Sequence, residues 1–422
     1  MNRLVVLGFI LVAFGIGAFK ASPYHAVAGF QVPAQAVSSN GEARFQSRFA
    51  SSMQHIQTHA ASEIELKDGR IRAFWFSGSR EGAKDVEIHS AVFDPAQGTW
   101  SAEQTVATRE GTEQSVLRYI SKLGNPVAGR AADGTLWLYY VTVSMGGWAG
   151  SSITAMKSFD EGATWNPARR LITSPFLNIS TLVKGAPFLY GDGTTGLPVY
   201  HEFINKFGEI LHFDKTGKLI DKQRLSAGKD HGLQPVVLVK NANEALVLMR
   251  HNGEAHRKAI SVSTGDGGQH WTAPAKTALS NPDAALSAVA LPDGRMLAVL
   301  NNQEQGRDAL SLMISADGGS TWRNVYQLED QRSLQTDEAH YLKTVASLAK
   351  DIVANDVGAY VESAKSPMCS GNDCRFEFSY PYLIQARSGD FHLVYTWNRA
   401  FIKHVWFTQD WLDQRLKESA HD

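Results

Sequence analysis

The chain has 422 residues, 43% of them hydrophobic and 20% charged, with a net charge of −1. That length supports a large core in one domain or several. The near-zero charge excludes the basic field that a nucleic-acid-binding surface needs, so no nucleic acid is expected as a partner.

Residues 4–19, LVVLGFILVAFGIGAF, run without a charge directly after Arg3. This apolar run is long for the core of an export signal and short for a membrane span. With Ala26-Val27-Ala28 offering a signal-peptidase site, residues 1–28 read as a cleaved signal peptide or as a retained anchor that tethers the chain to a membrane. Either reading exports the rest, to a periplasmic or extracellular location. Residues 29–48 read as a linker.

From about residue 49 to 410 the pattern is short β-like runs broken by Gly, Asp and Asn, such as RIRAFWFSG (70–78), TLWLYYVTVS (135–144) and RMLAVLNN (295–302). Between these runs an octet repeats: Ser315-Ala-Asp317-Gly-Gly319-Ser-Thr-Trp322, Ser158 to Trp165, Thr264 to Trp271, and a worn copy from Phe93 to Trp100. Asp accepts hydrogen bonds from its own turn, Gly takes positive φ, and Trp covers the apolar layer beneath, so each octet predicts a hairpin turn. The step from Trp271 to Trp322 is 51 residues and that from Trp165 to Trp271 is 106. The second step holds two units, one of which turns at Asp214-Lys-Thr-Gly217. The count predicts an all-β, six-bladed β-propeller, its ring closed by a strand from about 45–58.

One segment breaks the pattern. Residues 336–356 place Leu342, Val345, Leu348, Ala349, Ile352 and Val353 on one helical stripe, with Thr336, Asp337 and Glu338 as a helix start. A helical insertion of about 328–368 is therefore expected between blades five and six, either packed on the flank or closing over one end as a lid. Cys369 and Cys374, close together in MCSGNDC, read as a local disulfide in an oxidising compartment or as two free thiols. Residues 411–422 read as a tail. No metal-ligand spacing occurs and no cofactor is expected.

A six-bladed propeller carrying these octets, known as Asp boxes, resembles the sialidase (neuraminidase) superfamily over about residues 55–408. The resemblance implies a carboxylate-binding arginine triad, an Asp acid/base, and a Tyr nucleophile with a Glu partner. Asp85 falls at the acid/base position, with Arg80 just before it. QPVVLVKNANEALVLMRHNG supplies Arg250 as the second triad arginine, but Gln234 stands in place of the Glu. LNNQEQGRDALSLMISADGGSTW supplies Arg307 as the third, and EFSYPYLIQARSGDFHLVYTW supplies Tyr380. The first triad arginine is missing, and His59 occupies about its position.

Two permanently charged, planar guanidiniums from different blades would clamp a carboxylate. A phenol needs a base to attack; Gln234 cannot serve, which leaves Glu377, Glu202 or His59. His201 with Glu202, Asn125, and Trp148 in a Gly-Gly-Trp loop are further pocket candidates, the tryptophan as a surface on which a sugar ring stacks. Three functions follow from the resemblance and its departures: an exported glycosidase acting on a terminal carboxylate-bearing sugar, a lyase that abstracts the proton α to a uronate, and a glycan-binding propeller without catalysis.

Overall fold

A computed structural model of the chain describes all residues except 1–4, 9, 13–27, 34–41, 53–55, 175–177, 204, 226–231, 254–256, 333–335, 351–356 and 419–422. Most of the apolar run at 4–19, Ala26 and Val27 of the signal-peptidase site, and Ile352 and Val353 lie outside the described residues. Among those described, no helix is long and apolar enough to cross a membrane.

Six antiparallel sheets follow one another along the chain. Their innermost strands are Gln57–Glu65, Lys122–Arg130, Leu182–Val183, Leu233–Val239, Ser287–Ala290 and Phe378–Gln385. Neighbouring blades pack through these strands around a common axis, with blade three meeting Leu233–Val239 through its next strand, Thr195–His201. Each sheet then grows outward by hairpins, which is the propeller the octet spacing predicts. Phe45–Phe49 pairs with Phe401–Phe407, Phe45 opposite Phe407, as the outermost strand of blade six. This closure ties the two ends of the ring through backbone hydrogen bonds.

The octets fold as expected. Ser315 Oγ donates to Asp317 Oδ1 at 2.8 Å, Asp317 accepts from the Thr321 amide at 2.8 Å, and Gly319 takes φ +97°. The hydrogen bonds from Thr321 hold the Asp317 carboxyl down at about 2. Trp322 Nε1 donates back to the Gly319 carbonyl at 3.0 Å. The octet-free blade turns at Asp214–Gly217, where the Gly217 amide donates to the Asp214 carbonyl.

Three sequence expectations change. The stretch 29–48 is not a free linker: Phe30 is buried against Phe188, Tyr190 and Trp271 and bridges to Tyr190, while Phe45 onward is a blade strand. The C-terminal segment carries a helix, Gln409–Glu418, whose Trp411 packs on Phe45, Tyr326 and Phe407. The burial of Trp411 and Leu412 stabilises that docking by about 2 kcal/mol per side chain.

The insertion between blades five and six has two helices rather than one, Glu338–Ala349 and Val357–Met368. Asp337 caps the first by accepting from the His340 amide, and Tyr341 Oη donates to the Ala364 carbonyl at 2.9 Å to join them. Val361, Ala364 and Met368 form the second helix's buried stripe. Pro367 near its end argues against a helix in the sequence, yet only Met368 follows it there. A short hairpin, Cys369–Ser370 with Asp373–Cys374, follows, and Cys369 and Cys374 form a disulfide.

Candidate active site on the propeller axis

In every blade one residue on, or just ahead of, the innermost strand has left-handed backbone: Ala60, Asn125, Ser180, Gln234, Asp283 and Tyr380, with φ between 36° and 60°. Four of the six strands lose register there, at His59/Ser62, Gly124/Val127, Leu233/Val236 and Ser379/Tyr382. These are bulges, which re-aim a side chain that regular alternation would send into the inter-blade core. Three carry a proline in the next position, Asn125-Pro126, Gln234-Pro235 and Tyr380-Pro381, where a missing N–H suits an interrupted ladder. The repeated bulge turns functional side chains toward the axis.

Hydrogen bonds link those side chains around the ring. Asn125 Nδ2 donates to Tyr200 Oη at 3.2 Å, and Gln234 Nε2 donates to Tyr200 Oη at 3.3 Å and to Tyr380 Oη at 3.5 Å. Arg250 donates from Nη1 to Gln234 Oε1 at 3.3 Å and from Nε to Asp283 Oδ1 at 2.7 Å. Arg307 donates to the Asp283 carbonyl at 2.9 Å and lies 3.5 Å from Glu377. Arg399 completes the chain, with Nε on Glu377 at 2.9 Å and Nη1 on Glu81 at 3.2 Å. His59 lies against the Tyr380 ring, centroids 4.4 Å apart.

Sequence reasoning missed Arg399. It sits in the three-residue turn Asn398-Arg399-Ala400 between Phe391–Trp397 and Phe401–Phe407, with Asn398 and Arg399 left-handed at 49° and 51°. That is the backbone of a tight hairpin, and Asn at its first position is the signal that was available. The turn delivers a third guanidinium to the axis, in a chain whose first blade has His59 where the resemblance places one. Glu81, Lys184, Tyr200 and Asp283 were missed as well.

Electrostatics assigns these groups different tasks. Burial works to raise the Glu377 carboxyl, but Arg399, His59 and Arg307 overcome it and hold it at about 2. A carboxylate that acidic is a poor proton acceptor, so Glu377 braces the arginines, with Ser379 Oγ also donating to it at 2.8 Å. The reading of Glu377 as a base is corrected on that ground. His59 is lowered to about 3 by burial and by Arg399, and is therefore neutral at pH 7. For Arg250, burial opposes its charge while Tyr380 and Asp283 more than restore it, so its affinity for the proton is raised. Glu202 is raised by burial, with Arg250 acting against this.

Several sequence candidates lie elsewhere. Asp85 is exposed at the rim and accepts from the Ser79 amide and Oγ, both at 2.9 Å. It shares an open cavity with Arg80, Tyr119 and Lys122. Within that same loop it is Glu81 that reaches Arg399. His201 turns away to Glu209 at 3.0 Å and stacks on Phe207, while its neighbour Glu202 feels Arg250 and Asp283. His201 ends the strand Thr195–His201 and is taken by Glu209, so of the pair only Glu202, just past the strand, belongs to the site. Trp148 packs on Gly124 and beside Lys122 rather than among the ring of hydrogen bonds.

Lys184 is the least ordinary group in the site. Its side chain is buried, and its ammonium donates to the Pro381 carbonyl at 3.2 Å and lies over the Tyr382 and Tyr380 rings. Burial lowers it to about 7. The unfolded chain holds that proton up to its ordinary 10.5, so folding expels the proton between pH 7 and 10.5. Stability should therefore rise with pH through this window by about 1.4 kcal/mol per unit. Lys184→Met is expected to remove that slope and to be more stable by a few kcal/mol near pH 7. Urea denaturation of both proteins at pH 7, 8.5 and 10 measures this, and parallel slopes would count against it.

The sequence of residues 69–393 matches the family model of the BNR repeat-like domain, over well more than half of the chain. The chain belongs to the BNR repeat-like domain family. Its fold is similar to that of a Hadza microbial sialidase, at 15% identity and a TM-score of 0.62, with 84% of this chain and 66% of that protein covered. It is similar to NanB sialidase from Streptococcus pneumoniae, at 9% identity and a TM-score of 0.60, covering 90% and 71%. The intramolecular trans-sialidase from Ruminococcus gnavus aligns at 12% identity and a TM-score of 0.58, covering 86% and 97%. No curated protein matches the sequence. This BNR repeat-like protein thus has a six-bladed propeller whose fold is similar to that of these sialidases.

Proposed function

We propose that the chain is an exported exo-glycosidase that removes a terminal carboxylate-bearing sugar from a glycan or envelope polysaccharide. One observation carries this reading: Arg250, Arg307 and Arg399 come from three successive blades, Arg250 and Arg399 both act on Tyr380 through their charge, and Arg307 lies between them on Asp283 and Glu377. Each guanidinium is braced by a protein partner on part of its edge. Nη2 of Arg250 and of Arg399 have no hydrogen-bond partner among the described residues and are the donors left for a ligand carboxylate in this reading. Permanently charged, planar donors suit a carboxylate that must be oriented as well as neutralised.

In this reading Tyr380 places its oxygen against the positive charge that develops at the anomeric carbon. Glu202, whose hold on a proton is strengthened by burial, gives its proton to the leaving glycosidic oxygen as that C–O bond breaks. Water then adds to the anomeric carbon and returns a proton to the Glu202 carboxylate, which balances the hydrolysis. Burial of a carboxylic acid beside an ionised partner is a recurring way to keep an acid available at neutral pH. The fold relationship to sialidases supports the substrate class. The disulfide, which oxidising compartments favour, supports export.

The test is a screen of the purified chain against glycans ending in N-acetylneuraminic, other nonulosonic and uronic acids, with product analysis. Release of a free reducing acidic sugar is the expected outcome. An unsaturated, ultraviolet-absorbing product would replace hydrolysis by elimination, and binding without release would make the propeller a lectin.

A further inference from the structure

Beside the axial site the insertion builds a second compartment. A cavity of about 580 Å³ is lined by Arg307, Glu377 and Arg399 on its axial side and by Thr336, Cys374 and Arg375 on the side of the insertion. The disulfide hairpin that carries Arg375 is fixed at both ends. The Cys374 amide donates to the Thr336 carbonyl at 2.9 Å, and the Arg375 amide donates to the Met368 carbonyl at 3.2 Å. Asp337 and Asp373 bridge the hairpin to the start of the first helix.

The charges around this cavity are not equivalent. Glu377 is already shared between Arg307 and Arg399, and Asp308 accepts from Gln303 Nε2 at 2.6 Å. Asp373 sits on the exposed hairpin edge. Arg375 is exposed, and its guanidinium has no side-chain or carbonyl partner among the described residues. A rigid hairpin therefore presents one unspent guanidinium across a cavity from the axial arginines, and the cavity is large enough for a sugar residue.

We propose that this compartment is a second anion subsite, which binds a carboxylate or sulfate on the sugar next to the one held at the axis, with Arg375 as its charged ligand. This rests on the acidic-sugar reading of the axial site and sharpens it: the preferred substrate is a polyanionic glycan, acidic at two consecutive positions. The insertion then acts as a specificity element, and the disulfide sets the distance between the two anion positions.

A glycan array separates the two layers of the argument. Terminal N-acetylneuraminic, glucuronic and galacturonic acids are each presented on a neutral hexose, on a second acidic sugar, and on a sulfated hexose. The full chain should retain the doubly anionic pairs about tenfold better than the acid–neutral pair, the scale of one charge-assisted hydrogen bond. Arg375→Gln should abolish this preference and leave retention of the acid–neutral pair unchanged. Arg375→Lys should keep part of it. The carboxylate and sulfate arms tell the two sources of charge apart. A preference missing in the wild type, or unchanged in Arg375→Gln, overturns the subsite alone. Wild-type protein that retains no acidic glycan at all overturns the axial reading and the subsite with it.

Discussion

Tyr380→Phe is expected to lower turnover of the preferred acidic glycan by about 10²–10³-fold while leaving the fold intact. The ring packs against His59, and Phe keeps that contact. What is lost is the oxygen that accepts from Gln234 Nε2 and stands beside Arg250. Removing one preorganised polar group that faces developing charge costs that range. KM should change little, because the arginines that hold the carboxylate are untouched. Steady-state kinetics on both proteins decides it, with thermal unfolding as the control. Equal turnover would mean that Tyr380 takes no part in the chemistry. A matched loss of melting temperature would mean that it is a structural residue.

Arg399→Ala should be the most damaging single change to stability at the site, at about 3 kcal/mol. Glu377 is 6% exposed, and Arg399 contributes its 2.9 Å ion pair. Arg307, at 3.5 Å, is a weaker substitute. Removing one partner of a buried pair strands the other charge, and this costs more than the pair itself is worth. The double variant Arg399→Ala with Glu377→Gln should recover much of the loss, because the stranded charge is then gone. In the wild type the Glu377 carboxyl is held at about 2 against an ordinary 4.5. Its contribution is therefore full above pH 4.5 and is lost as pH falls from 4.5 toward 2. Arg399→Ala should flatten that acid limb. Urea midpoints for the three proteins at pH 3, 4 and 7 measure both effects. A double variant no more stable than Arg399→Ala would refute the stranded-charge account.

The scaffold was legible because its signals are local. An Asp, one or two glycines and a Trp within one octet make a turn wherever they occur, and their spacing counts the blades. Gln234, Arg250, Arg307 and Tyr380 could also be placed, since the resemblance to the sialidase superfamily gives their order along the chain. What stayed hidden depends on contacts between distant segments. Arg399 reads as a turn residue until the ring closes and brings its hairpin over Glu377 and Glu81. Asp85 and Glu81 share one loop, and only the fold shows that Asp85 is occupied by Ser79. His201 and Glu202 are neighbours whose faces alternation alone cannot assign. Lys184 has an ordinary sequence context, and burial beneath Tyr380 makes it unusual. The second helix of the insertion carries Val357, Tyr360, Val361, Ala364 and Met368 at helical spacing, while Pro367 near its end is the local signal against it.

The central claim is that three arginines on the propeller axis recognise a carboxylate. The most direct measurement compares an acidic glycan that the protein cleaves with the same glycan after its terminal carboxyl has been reduced to a primary alcohol. Reduction removes the charge and keeps the ring, the linkage and the leaving group. The account predicts a fall in kcat/KM of at least about 10²-fold, the scale of two charge-assisted hydrogen bonds lost. Equal kcat/KM for the two glycans would contradict it.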